Sequence, residues 1–114
     1  MTITMPRGDI RPVHFIIYDS EGACCPIEFD EIYFTVKRSY SDAAFLIQKR
    51  LSTGTIWRCD DHGYEFVIEA ADTDNLKIGK YVFDIELIYG TELKQTTVGE
   101  LVLTNEVTFA SNEG

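Results

Sequence analysis

No stretch of this chain approaches the ~18 consecutive apolar residues of a membrane helix, and its start, MTITMPRGDIRP, lacks the apolar run of a secretory leader. Basic residues are scarce: ten Lys and Arg stand against nineteen Asp and Glu, a formal net charge of −9. Nucleic-acid binders present a positive surface, so this balance argues against a phosphate-backbone partner. Neither a membrane nor a nucleic acid is expected to bind. Cysteine is also sparse. Cys24, Cys25 and Cys59 are odd in number and two of them are adjacent, unlike the paired spacing of a secreted disulfide scaffold. A protein made and kept in a reducing compartment is expected.

Catalytic signatures are missing as well. The sequence holds no GxSxG, no Gly-rich phosphate loop and no HExxH. Asp60-Asp61-His62 pairs carboxylates with an imidazole, but at the tip of a predicted hairpin, where water is hardest to exclude. Asp72-Thr73-Asp74-Asn75 starts like a calcium loop and then puts Leu76, Lys77 and Phe83 at positions 5, 6 and 12, where an EF-hand needs an oxygen ligand, Gly and Glu. Cys24-Cys25, Cys59, His14 and His62 supply soft ligands without the CxxC or HxxxH units of a structural zinc site, and adjacent strand residues face opposite ways. Arg7-Gly8-Asp9 spells an adhesion tripeptide, for which a turn at a strand start is the simpler explanation. No enzyme, no metal and no cofactor is expected.

What the chain does have is alternation. Val13, Phe15 and Ile17 share one face of a first predicted strand, and Ile32, Phe34 and Val36 share one face of a second. Further strands are predicted over residues 45–51 and 55–59, and along Tyr64, Phe66 and Ile68. The clearest run is Tyr81, Phe83, Ile85, Leu87 and Tyr89, which a loop at Gly90-Thr91 returns into a strand over residues 93–103. Residues 106–109 suggest a short terminal strand. Short strands with turn signals every 8–12 residues predict a sandwich or barrel. The expected architecture is one all-β domain over residues 1–114, an immunoglobulin-like antiparallel β-sandwich of seven or eight strands. Residues 1–8 and 110–114 are expected to be flexible.

The stretch before the clearest strand, Glu69 to Gly90, predicts a structural corner. Asp72 caps a short helical turn, Leu76 points back under the sandwich, and Gly79 permits a positive φ where the chain reverses. The Tyr81 hydroxyl then reaches back to a backbone group a few residues upstream, the logic of the tyrosine corner. Phe83, two residues on, occupies the core position that antibody domains give to a cysteine. Among the other aromatics, Tyr18 and Tyr33 oppose the apolar face of their strands, and Tyr18, Tyr33, Trp57 and Tyr64 are candidate interface residues. Exposed Tyr and Trp serve protein interfaces and also stack on sugars.

This organisation resembles the N-terminal immunoglobulin-like domain of siphophage baseplate upper proteins and related small prophage proteins. The resembling segments are Met5-Pro6-Arg7-Gly8-Asp9, Asp19-Ser20-Glu21-Gly22, residues 30–37, Asp72-Thr73 with Leu76, Gly79 and Tyr81 through Leu87, and Glu106-Val107-Thr108. The resemblance implies a non-enzymatic connector that joins tail or baseplate proteins, or copies of itself, in a virion or in host cytoplasm. The long receptor-binding region of the baseplate proteins has no counterpart after the domain here, so the resemblance implies assembly rather than host-receptor binding. A carbohydrate- or cell-surface-binding sandwich is the alternative.

Overall fold

The computed structural model describes residues 1–18, 21–23, 28–59, 63–91 and 93–105. In chain order the elements are β1 (Thr2–Pro6), β2 (Arg11–Ile16), β3 (Glu31–Lys37), β4 (Ile47–Arg50), β5 (Ile56–Arg58), β6 (Gly63–Ile68), α1 (Ala70–Thr73), β7 (Gly79–Tyr89) and β8 (Leu93–Thr104). They form a five-stranded sheet in the order β1-β8-β7-β3-β4 and a three-stranded sheet in the order β2-β6-β5. This is a two-layer β-sandwich of eight strands, with β2, β5 and β6 in one layer and β1, β3, β4, β7 and β8 in the other.

Period 2 produces the layers. In β3 every second residue, Ile32, Phe34 and Val36, is fully buried, while Tyr33 and Thr35 between them are half-buried on the outer face. In β7 the inward set is Tyr81, Phe83, Ile85 and Leu87, and in β6 it is Tyr64, Phe66 and Ile68. Three rings meet at the centre of the core. Phe34 stacks on Phe66 across the sandwich with centroids 4.3 Å apart, and Phe83 lies 5.2 Å from Phe34 within its own sheet. These rings fill the middle of the sandwich between the two sheets.

Three expectations are corrected. Residues 2–6, expected to be loose, form an edge strand that buries Ile3 and Met5. Its Thr-Ile-Thr-Met alternation supplies two apolar side chains to the core, and that burial holds it. The sandwich is not wholly antiparallel, because β1 pairs in parallel with the second half of β8, Thr2 opposite Glu100 through Pro6 opposite Thr104. The chain leaves β1 for the other sheet through the Arg7-Gly8 turn, so no hairpin constrains β1 to run against its neighbour. Tyr64 is no interface residue: it is only 3% exposed and packs against Phe15 and Phe29. It shares parity with Phe66 and Ile68, and parity decides its face. The predicted strand at 106–109, the Asp60-Asp61-His62 tip and Cys24-Cys25 lie outside the described residues; Cys59 is half-buried just after β5.

Candidate functional site

The predicted corner is built from short-range chemistry. Glu69 caps α1, and Asp72, inside the first turn rather than at its start, accepts the Glu69 amide at 2.7 Å. The same Asp72 oxygen accepts the Lys49 ammonium, also at 2.7 Å, so a buried lysine of β4 finds its counter-charge here. A buried ammonium without such a partner would be costly. The Thr73 hydroxyl accepts the Gly8 amide at 2.8 Å, and the Leu76 carbonyl accepts the Arg7 guanidinium at 3.3 Å. Leu76 packs half-buried against the core, Gly79 has φ +145°, and the Tyr81 hydroxyl donates to the Lys77 carbonyl at 2.6 Å. The corner therefore ties β4, the β1–β2 turn and β7 to one helical turn. The Arg7-Gly8-Asp9 tripeptide is held against that turn by its own backbone and guanidinium. Replacing Tyr81 by phenylalanine is expected to cost about 1 kcal/mol of unfolding free energy, the usual net worth of one such bond. A urea midpoint equal to that of the parent would refute this role.

The remaining interface candidates do not form one platform. Tyr33 lies on the outer face of the five-stranded sheet, its hydroxyl 3.2 Å from the Arg50 guanidinium, which also sits 4.9 Å from its ring centre. Trp57, 40% exposed, is on the three-stranded sheet opposite Glu65. Tyr18, 60% exposed, follows β2 at one open end of the sandwich.

Two surfaces have geometry suited to binding. The first is a shallow trough on the outer face of β3, β4 and β7, walled by Tyr33 and Phe45 with Thr35, Gln48, Asp84 and Glu86 along its floor. The register sets the floor: Thr35 pairs with Gln48 on one side and Asp84 on the other, and Tyr33 pairs with Glu86. Burial raises the Asp84 carboxyl above its ordinary range, the Glu86 charge adds to this, and Lys37 partly offsets it. An acid raised in the folded state keeps its proton to a higher pH than in the unfolded chain. Stability then falls as pH climbs through that window and stays reduced above it. Asp84→Asn is therefore expected to raise the urea midpoint at pH 7, with the gain shrinking as pH drops from above the raised range down to the ordinary aspartate range, and levelling off below it. A pH-independent difference would refute the assignment.

The second surface is an edge that sequence reasoning did not single out. β8 is twelve residues long, but β1 covers only Glu100 to Thr104. Among the described residues, no strand pairs with the same edge from Leu93 to Val98, and Lys94 through Val98 are all exposed. Beside it, on the inner side, lies a groove of about 340 Å³ lined by Phe15, Ile17, Tyr18, Ile85 and Leu87 with Gln95 and Thr97. The edge is bare because the twelve-residue β8 is longer than the five-residue β1 beside it, a mismatch that no motif in the sequence marks.

Among the described residues no group of three His, Cys, Asp or Glu side chains is placed to hold a metal, and no helix is long and apolar enough to cross a membrane. No family model matches the chain, and no curated protein matches it.

Proposed function

We propose that the protein is a non-enzymatic interaction module of a phage- or prophage-derived tail or baseplate assembly, working in the virion or in host cytoplasm. The observation that carries this reading is the bare edge of β8 between Leu93 and Val98. Sheet edges in solitary domains are usually shortened, bulged, covered or interrupted by proline. This one is long, regular and proline-free, with Lys94 as its single basic residue. Such an edge suits strand addition, in which main-chain bonds provide affinity and alternate side chains provide choice. The phage setting is supported by the resemblance carried by residues 30–37 and by the corner segment. The partners in this reading are other tail or baseplate proteins, or copies of the same chain.

One feature favours the alternative, a carbohydrate- or cell-surface-binding module: the outer trough sets two aromatic rings beside two carboxylates and an amide, a sugar-binding combination. An affinity pull-down of the tagged protein from a prophage-induced lysate, read by mass spectrometry, separates the two. Recovery of tail or baseplate proteins is the expected result. Recovery of cell-wall material alone would overturn the connector and move the assignment to the trough.

A further inference from the structure

We propose that the bare segment of β8 receives an extended strand from a second copy, residues 107–111, running parallel to β8 with Phe109 in the groove beside it. The inference deepens the interaction-module reading and rests on it, since both use this edge.

The lane beside β8 already holds one strand, and that strand shows what fits. β1 runs parallel to β8 from Glu100 to Thr104 and sends Ile3 and Met5 into the core. Upstream of Met1 no strand among the described residues occupies the lane, and the groove lined by Phe15, Ile17, Ile85 and Leu87 opens beside it. Gln95 and Thr97 pair with Leu87 and Ile85 and share their inward face, so a residue placed opposite either one points into that groove. The sequence that follows β8 repeats the β1 pattern. Val107-Thr108-Phe109 matches Ile3-Thr4-Met5: a β-branched apolar residue, a threonine and a large apolar residue. In its own molecule this segment falls short of the groove. Thr104 and Gln95 stand nine positions apart on β8, about 30 Å. The five residues from Thr104 to Phe109 span at most about 18 Å. The strand therefore comes from another copy.

Steric limits fix the direction and the register. Met1 lies opposite Gly99 in this lane, its carbonyl accepting the Glu100 amide at 3.0 Å. An antiparallel insertion would bring the donor's Thr104 and Asn105 in from that end, onto Met1. A parallel insertion brings them in past the β7–β8 turn at Gly90, outside the receiving sheet. With Val107 opposite Leu93, Phe109 falls opposite Gln95 and Ser111 opposite Thr97, two positions short of Met1. Asn105 and Glu106 remain as the link. Lys94 keeps its place 3.8 Å from Glu86 on the outer face and meets only Thr108. The Glu100 amide points to this lane and the β7–β8 register is unbroken, so the Thr96 amide points there too and is open to the inserted strand. The donated strand leaves one end of β8 and the receiving lane lies at the other. The two surfaces differ, so copies add head to tail.

Two variants of the full chain separate giving from receiving. Phe109→Asp leaves the lane open and spoils the donated strand. Thr96→Pro removes an amide that faces the open lane and no bond to β7, so it spoils the lane and leaves the donated strand intact. Urea midpoints close to that of the parent will show that both variants are folded. Sedimentation velocity over a range up to about 1 mM is expected to show the parent growing beyond a dimer with concentration, and each variant alone monomeric. An equimolar mixture of the two should form a dimer and stop there, since one member can only receive and the other can only give. A synthetic peptide of residues 105–112 should bind the Phe109→Asp protein and slow exchange of its Thr96 amide. A parent that stays monomeric, association that either variant leaves intact, or a peptide that does not bind overturns the proposal. If the parent is monomeric and tail proteins are still captured from lysate, the connector reading stands with a different strand on the edge. If neither is found, both fall.

Discussion

Phe34→Ala is expected to lower the unfolding free energy by about 3–5 kcal/mol, the range for deleting a fully buried aromatic ring. Domains of this kind are stable by only about 5–15 kcal/mol, so the variant should lie near the edge of folding. The reason is position. Phe34 is fully buried and bridges the two sheets, stacked on Phe66 of one and touching Phe83 of the other. Its loss leaves a cavity bounded by two rings on separate strands of rigid sheets, which cannot both close in. Phe45 is the control. It is an aromatic of the same size, 53% exposed at the rim of the outer trough, and Phe45→Ala should change stability by no more than about 0.5 kcal/mol. Urea unfolding of the two variants decides the matter, and equal shifts in midpoint would contradict this account of the core.

Most of the sandwich is legible in the sequence because one physical rule governs it. Where a strand has one wet face, the apolar residues must recur with period 2, and β3, β6 and β7 obey that rule through Val36, Ile68 and Leu87. The same rule places Tyr64 inside, and its hydroxyl does not override two neighbours of the same parity. The corner is legible too, since Leu76, Gly79 and Tyr81 act over a few residues of chain, and local chemistry is written locally. The parts that escape are those set by distant pairing. Met5 is buried because β1 lies along β8, almost a hundred residues away in sequence, and nothing in TITMP names that neighbour. Lys49 resembles a surface residue of a strand until α1 brings Asp72 to it. The candidate site belongs to this second class. A bare edge is a relation between the lengths of two strands, and composition does not carry it.

Gly99→Ala is expected to destabilise the protein by about 1–3 kcal/mol, the ordinary range for forcing an extra group into a packed core. On backbone grounds alone the sign should be the reverse, because a glycine within a strand loses more freedom on folding than alanine does, worth about 0.5–1 kcal/mol. Sterics decide the outcome. Gly99 is buried and has an inward-facing neighbour, Phe83, directly across the β7–β8 pair. A Cβ at Gly99 would lie 2.5 Å from the tip of the Phe83 ring and 2.5 Å from the Met1 carbonyl oxygen. The ring is wedged against Phe34, and the carbonyl is fixed by the Glu100 amide, so neither retreats cheaply. A glycine in the middle of a strand often marks such a close approach. The two obstacles are separable by a double-mutant cycle. Phe83→Leu shortens the side chain, so Gly99→Ala should cost less in that background, with a coupling of about 0.5–3 kcal/mol for residues in contact. What remains of the cost would come from Met1, and it should disappear when Met1 and β1 are displaced. If Gly99→Ala raises the urea midpoint instead, the ring does not occupy the space over this glycine, and the packing of Phe83 must differ from that described.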